Sequence, residues 1–87
     1  MHSQMFEWAV THGIARAAFA IGEERDEKFC VVPTSTGWLV FYSERGHKRE
    51  AQEYLTLDQA LNELQSRLLR EPTTRVAFRS SHGWAVD

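Results

Sequence analysis

Two charged stretches concentrate residues that could do chemistry. One is Glu23-Glu24-Arg25-Asp26-Glu27-Lys28. The other is Glu44-Arg45-Gly46-His47-Lys48-Arg49, which follows the apolar run Trp38 to Ser43. Paired carboxylates and bases can transfer protons only if a pocket holds them within hydrogen-bond reach of a substrate. The sequence carries no nucleophile elbow, phosphate-binding glycine loop or metal motif to build such a pocket around them. His2, His12, His47 and His82 are scattered, with no second histidine or cysteine three or four residues away, so no metal site or other cofactor is expected. Cys30 sits inside an apolar run, where a thiol acts as a small buried hydrophobe rather than a nucleophile. The expected chemistry is therefore non-covalent. The protein is not expected to be an enzyme.

The elements around these stretches follow from periodicity and punctuation. Ser3 to His12 reads as a helix, with Ser3 as N-cap and Met5, Trp8, Ala9 and His12 on one face; Gly13 ends it. Residues 15–21 alternate as a strand, although their alanines also permit helix. The acidic run Glu23 to Lys28 is expected to be a hairpin loop. Phe29 to Val32 is a short strand stopped by Pro33, and Pro33 to Gly37 is turn chemistry. Trp38 to Ser43, rich in aromatic and β-branched residues, is the clearest strand. The stretch from Arg45 to Glu53 reads as a charged connection.

Thr56 with Gln59 predicts a capping box, and Leu57, Ala60, Leu61, Leu64 and Leu68 form one apolar stripe. Arg67 and Arg70 fall where the helix dipole favours cations, and Pro72 ends the helix. Thr74 to Phe78 reads as a last strand. An echo between Ser35–Val40 and Ser81–Val86 points to a further strand or hairpin at the C-terminus.

The predicted order is α-β-β-β-α with a possible final β. That is an α+β fold, an antiparallel sheet of three to four strands with helices from the N-terminal and C-terminal halves, in a single domain over residues 1–87. Trp8, Phe19, Phe29, Val31, Leu39, Phe41, Leu57, Leu61 and Leu64 are the expected core.

Composition narrows the partner. A formal net charge of −2 argues against a dedicated nucleic-acid binder, which is usually basic. One cysteine excludes an intrachain disulfide and fits a reducing cytoplasm. The N-terminal stretch lacks a basic region followed by an apolar one, so no signal peptide is expected, and no apolar run is long enough to span a bilayer.

Residues 29–69 carry a pattern beyond composition. A Trp-x-Val-x-Tyr strand (Trp38, Val40, Tyr42) runs into Glu44-Arg45-Gly46. Tyr54 and a helix with the early pair Ala60-Leu61 follow. This resembles small bacterial immunity proteins of polymorphic-toxin and contact-dependent growth inhibition systems. The resemblance implies a cytoplasmic inhibitor that binds one cognate toxin domain, with no membrane and no catalysis. Glu23, Glu24, Asp26 and Glu27, with Arg45, His47 and Arg49, are the expected contact residues. Glu44 and Arg45 are expected to order the turn, by pairing with each other or with backbone.

Two other readings stand beside it. The element order is shared with double-stranded-RNA-binding domains. Those domains start their last helix with lysines, whereas this helix starts with the acidic Thr56-Leu57-Asp58-Gln59. The other is a subunit that dimerises through an exposed aromatic sheet face.

Overall fold

The computed structural model describes residues 2–83. Helix α1 spans His2–Thr11, so Ser3 lies in its first turn rather than capping it. Its end is set by Gly13, whose φ of 69° is left-handed. Ile14 N–H donates to Ala9 O at 2.8 Å and Gly13 N–H to Val10 O at 3.2 Å, the paired bonds of a Schellman stop. Met5 and Ala9 are buried, and Phe6 and Trp8 pack beside them.

The expected strand over residues 15–21 is only partly a strand. Arg16–Ala18 forms a 3-10 turn, and strand β1 is confined to Phe19–Ile21. Strands β2 (Lys28–Pro33), β3 (Trp38–Glu44) and β4 (His47–Tyr54) follow, in the sheet order β1-β2-β3-β4. β2, β3 and β4 form the antiparallel meander. β1 runs parallel to β2, so the sheet is mixed, not wholly antiparallel. Parallel neighbours usually need a long crossover. A strand of only three residues rises about 10 Å, so the short segment after it can return to the starting end.

β4 corrects the reading of Arg45 to Glu53 as a charged connection. All of its residues are exposed except Tyr54, which is half-buried. A strand solvated on both faces has no apolar alternation to display. It contains a bulge opposite Phe41, between the pairs Val40–Gln52 and Tyr42–Arg49, where Glu50 takes φ 53°.

Helix α2, Leu57–Arg70, opens with the predicted capping box: Gln59 N–H donates to Thr56 Oγ1 at 3.1 Å, and the Gln59 side chain returns to Thr56 N–H. Ala60, Leu64 and Leu68 are fully buried against Val31 and Val40, with Leu57 and Leu61 flanking them. Arg67 does more than answer the dipole: it is 91% buried, with Nε 2.7 Å from Glu63.

The expected final strand at Thr74–Phe78 is instead helical. Pro72–Thr74 is a 3-10 turn, capped by the Glu71 carboxylate on Thr73 N–H, and α3 spans Val76–Ser81. Pro72 pre-sets a helical φ at the first position of that turn. Thr74 is buried, with its hydroxyl 2.7 Å from Leu68 O, and Ala15 N–H donates to Thr74 O at 2.8 Å. The segment after α1 is thus tied to the segment before α3. Of the expected C-terminal strand, Ser81 ends α3, His82 and Gly83 form a turn, and residues 84–87 lie outside the described residues.

The sheet buries both faces. Phe19, Val31 and Val40 face the helices, as do the half-buried Phe29 and Tyr42. Cys30, Phe41 and Ser43 point the other way and are almost wholly buried too. Leu39, an expected core residue, is half-buried on that second face.

Candidate functional site

What covers the second face is the acidic loop. Arg25 N–H approaches Cys30 Sγ at 3.4 Å, and Sγ lies 3.4 Å from Arg25 O. Glu24 then reaches over the sheet. Its Oε2 accepts from Ser43 Oγ at 3.1 Å, and its Oε1 pairs with Lys48 Nζ at 3.1 Å. Lys48 Nζ in turn stands 5.2 Å from the centre of the Phe41 ring. Residues 22–27 therefore form a strap over a small second core. Burial pushes the Cys30 thiol up from its ordinary pKa, so it stays protonated at neutral pH.

The strap also meets the β3–β4 hairpin. Asp26 Oδ1 accepts from Arg45 N–H at 2.7 Å. Glu27 N–H donates to Ser43 O at 2.7 Å, and Tyr42 OH donates to Glu27 Oε2 at 3.4 Å. The hairpin turn is the two-residue Arg45-Gly46, with φ of 53° and 83°. Positive φ at both positions is the I′ geometry, which normally selects Asn-Gly. Arginine there costs about 1 kcal/mol. The Asp26 carboxylate on its N–H helps to hold it.

The two predicted contact stretches thus come together at one end of the sheet, with divided roles. Glu24, Asp26 and Glu27 use their carboxylates to fasten the strap. Glu23 pairs with Arg25 at 3.2 Å, both exposed. Glu44 pairs with Arg49 at 2.7 Å across the hairpin, not with Arg45. The side chains of Arg45, His47 and Glu50 are exposed and make no hydrogen bond or ion pair within residues 2–83. Glu27, Arg45 and Glu50 are the non-glycine residues with positive φ among those described. All three are charged and lie at this end, and such strain persists where surrounding contacts fix it.

Beside the hairpin, on the helix side of the sheet, is a cleft of about 290 Å³. Phe29 and Tyr42 form its aromatic wall, packed edge to face at 4.9 Å. Glu44, Glu50 and Glu71 contribute carboxylates and Arg49 a guanidinium. Burial, then the nearby Glu27 carboxylate, raises the Tyr42 pKa, so its hydroxyl stays neutral and a donor. Aromatic faces rimmed by carboxylates suit a cationic side chain. Sequence reasoning did not single out Tyr42, Glu50 and Glu71, which line this cleft. Their signal depends on the bulge in β4 and on the turn after α2, and neither shows in periodicity.

A further charged group lies by β1. Lys28 Nζ donates to Ala17 O. Burial, then the Arg79 and Arg25 charges, lower its pKa. Among the described residues, no group of three or more His, Cys, Asp or Glu could hold a metal ion, and no helix is long and apolar enough to cross a membrane. Comparison with protein-family models, curated protein sequences and solved structures finds no match to this chain.

Proposed function

We propose that this chain is an immunity protein, a cytoplasmic inhibitor that binds one bacterial toxin domain and occludes its active site or an adjoining exosite. The observation that carries this reading is the joining of the strap and the hairpin into one braced surface. Among the described residues, Arg45, His47 and Glu50 stand unpaired on it, beside the Phe29–Tyr42 cleft. A surface ordered before binding loses less conformational entropy on association. Its charges are of both signs, which favours choice of partner over general attraction to polyanions. A basic toxin could place a lysine or arginine in the cleft. In this division of labour Arg45, His47, Arg49, Glu50 and Glu23 touch the toxin, while Glu24, Asp26 and Glu27 hold the surface in shape.

The test is co-expression with the toxin domain encoded immediately upstream in the same genome. The wild-type chain should restore growth and co-purify with that domain in a stoichiometric complex. Arg45→Glu combined with His47→Glu should leave the chain folded, as judged by circular dichroism, and abolish both effects. Toxicity that persists alongside the soluble wild-type chain would count against the reading.

A further inference from the structure

β4 is the longest strand of the sheet, and its outer edge is open. β3 lies on one side, and no described strand lies on the other. An open edge is a template for another strand, and a row of like charges normally keeps a second copy away. On β4 the signs are segregated. Lys48 and Arg49 come first, Glu50 closes the first half, and Glu53 lies in the second.

We propose that this edge pairs with the same edge of a second copy, antiparallel about a two-fold axis between Glu50 and Ala51, so that two sheets join into one. A two-fold interface must be self-complementary, each residue meeting its counterpart reciprocally. The register that overlaps the whole strand sets His47 opposite the partner's Tyr54, Lys48 opposite the partner's Glu53, and Arg49 opposite the partner's Gln52. The register that gives full overlap therefore sets one opposite-sign pair, Lys48 with the partner's Glu53, on each side of the axis. The faces agree as well. Lys48 pairs with Ser43 and Glu53 with Leu39 inside one copy, which puts both on the face away from the helices. Their odd spacing would place them on opposite faces of a regular strand, and the bulge at Glu50 brings them to the same one. The bulge thus has a consequence for assembly besides its effect on the hairpin. Both side chains can take part: Lys48 is 44% exposed beyond its contact with Glu24, and Glu53 is exposed beside Thr34 and Thr36. One strand from each copy covers less than a standard interface of about 1,600 Å², so the dimer is reversible and depends on concentration. The inference does not rest on the toxin reading; His47, Arg49 and Glu50 lie on both surfaces, so the toxin and a second copy compete for this edge.

Sedimentation velocity over a concentration series tests it with three chains. Wild type should move from monomer to dimer as concentration rises. Lys48→Glu sets glutamate against the partner's Glu53, and Glu53→Lys sets lysine against the partner's Lys48. Each alone should be a folded monomer. An equimolar mixture of the two variants restores both opposite-sign pairs and should dimerise again. Amide exchange of the wild type supplies a readout without mutation: β4 amides should gain protection at high concentration. A wild type that stays monomeric throughout, or folded variants whose mixture stays monomeric, overturns the proposal.

Discussion

Glu24→Ala should destabilise the chain far more than its place in an exposed, charged loop implies. Two contacts are lost. The Lys48–Glu24 pair, with side chains 44% and 36% exposed, is screened by solvent and contributes at most about 1 kcal/mol. The Ser43 hydroxyl is only 1% exposed and would lose its acceptor. Leaving a buried donor unsatisfied costs roughly 1–3 kcal/mol. The sum is about 1–4 kcal/mol. In a domain of this length each kcal/mol moves Tm by about 4–8 °C, so the transition should fall by roughly 5–30 °C.

Ser43→Ala alone removes the donor but leaves the Glu24 carboxylate with Lys48 and water, and should cost about 1 kcal/mol or less. Combining the two removes the orphaned hydroxyl. The double variant should therefore be less destabilised than the sum of the singles, by about 1 kcal/mol or more. Urea unfolding of the four proteins, with unchanged m-values, gives the coupling directly. A Glu24→Ala loss below about 0.5 kcal/mol, with additive singles, would refute the strap.

Three further outcomes follow from the same contacts. Phe41→Ala, on the face away from the helices, should cost about 3–5 kcal/mol in urea unfolding, like any large core truncation. Gly37→Ala would set a Cβ 2.1 Å from Tyr54 O, so it should cost about 1–3 kcal/mol where the backbone must give way. Glu53 is held below its ordinary pKa by hydrogen bonds from Thr34 first and Thr36 second. A depressed folded value means a stabilising contribution present above the unfolded pKa and lost as pH falls through the folded one. Side-chain NMR titration should find the Glu53 midpoint below that of an ordinary glutamate, and Thr34→Val should move it upward.

Much of the fold was legible because local chemistry and tertiary structure agree. The Thr56–Gln59 capping box, the α2 stripe, the Gly13 stop and the strands at Phe29 and Trp38 each have a signal within one turn or one period. β4 had none, because an edge strand solvated on both sides keeps no hydrophobic alternation, and Arg45-Gly46 does not look like Asn-Gly. β1 was overextended because Arg16–Ala18 alternates in sequence while coiling into a 3-10 turn. Thr74–Phe78 looked like a strand, yet Pro72 and the Glu71 cap start a helical path there. For the site, the charged stretches themselves were visible. Their meeting was not, because it rests on Glu24, Asp26 and Glu27 reaching hairpin groups far along the chain. In the structure the carboxylates of those three fasten the strap, and Tyr42, Glu50 and Glu71 line a cleft that no spacing rule predicts.

The central claim is that this braced end of the sheet recognises a protein. Titration calorimetry of the purified chain, run in parallel against the upstream-encoded toxin domain and against duplex RNA, tests it most directly. Saturable one-to-one binding to the toxin domain is expected, weakened at least tenfold by Arg45→Glu with His47→Glu, and no heat with RNA. Binding to RNA with none to the toxin domain would contradict it.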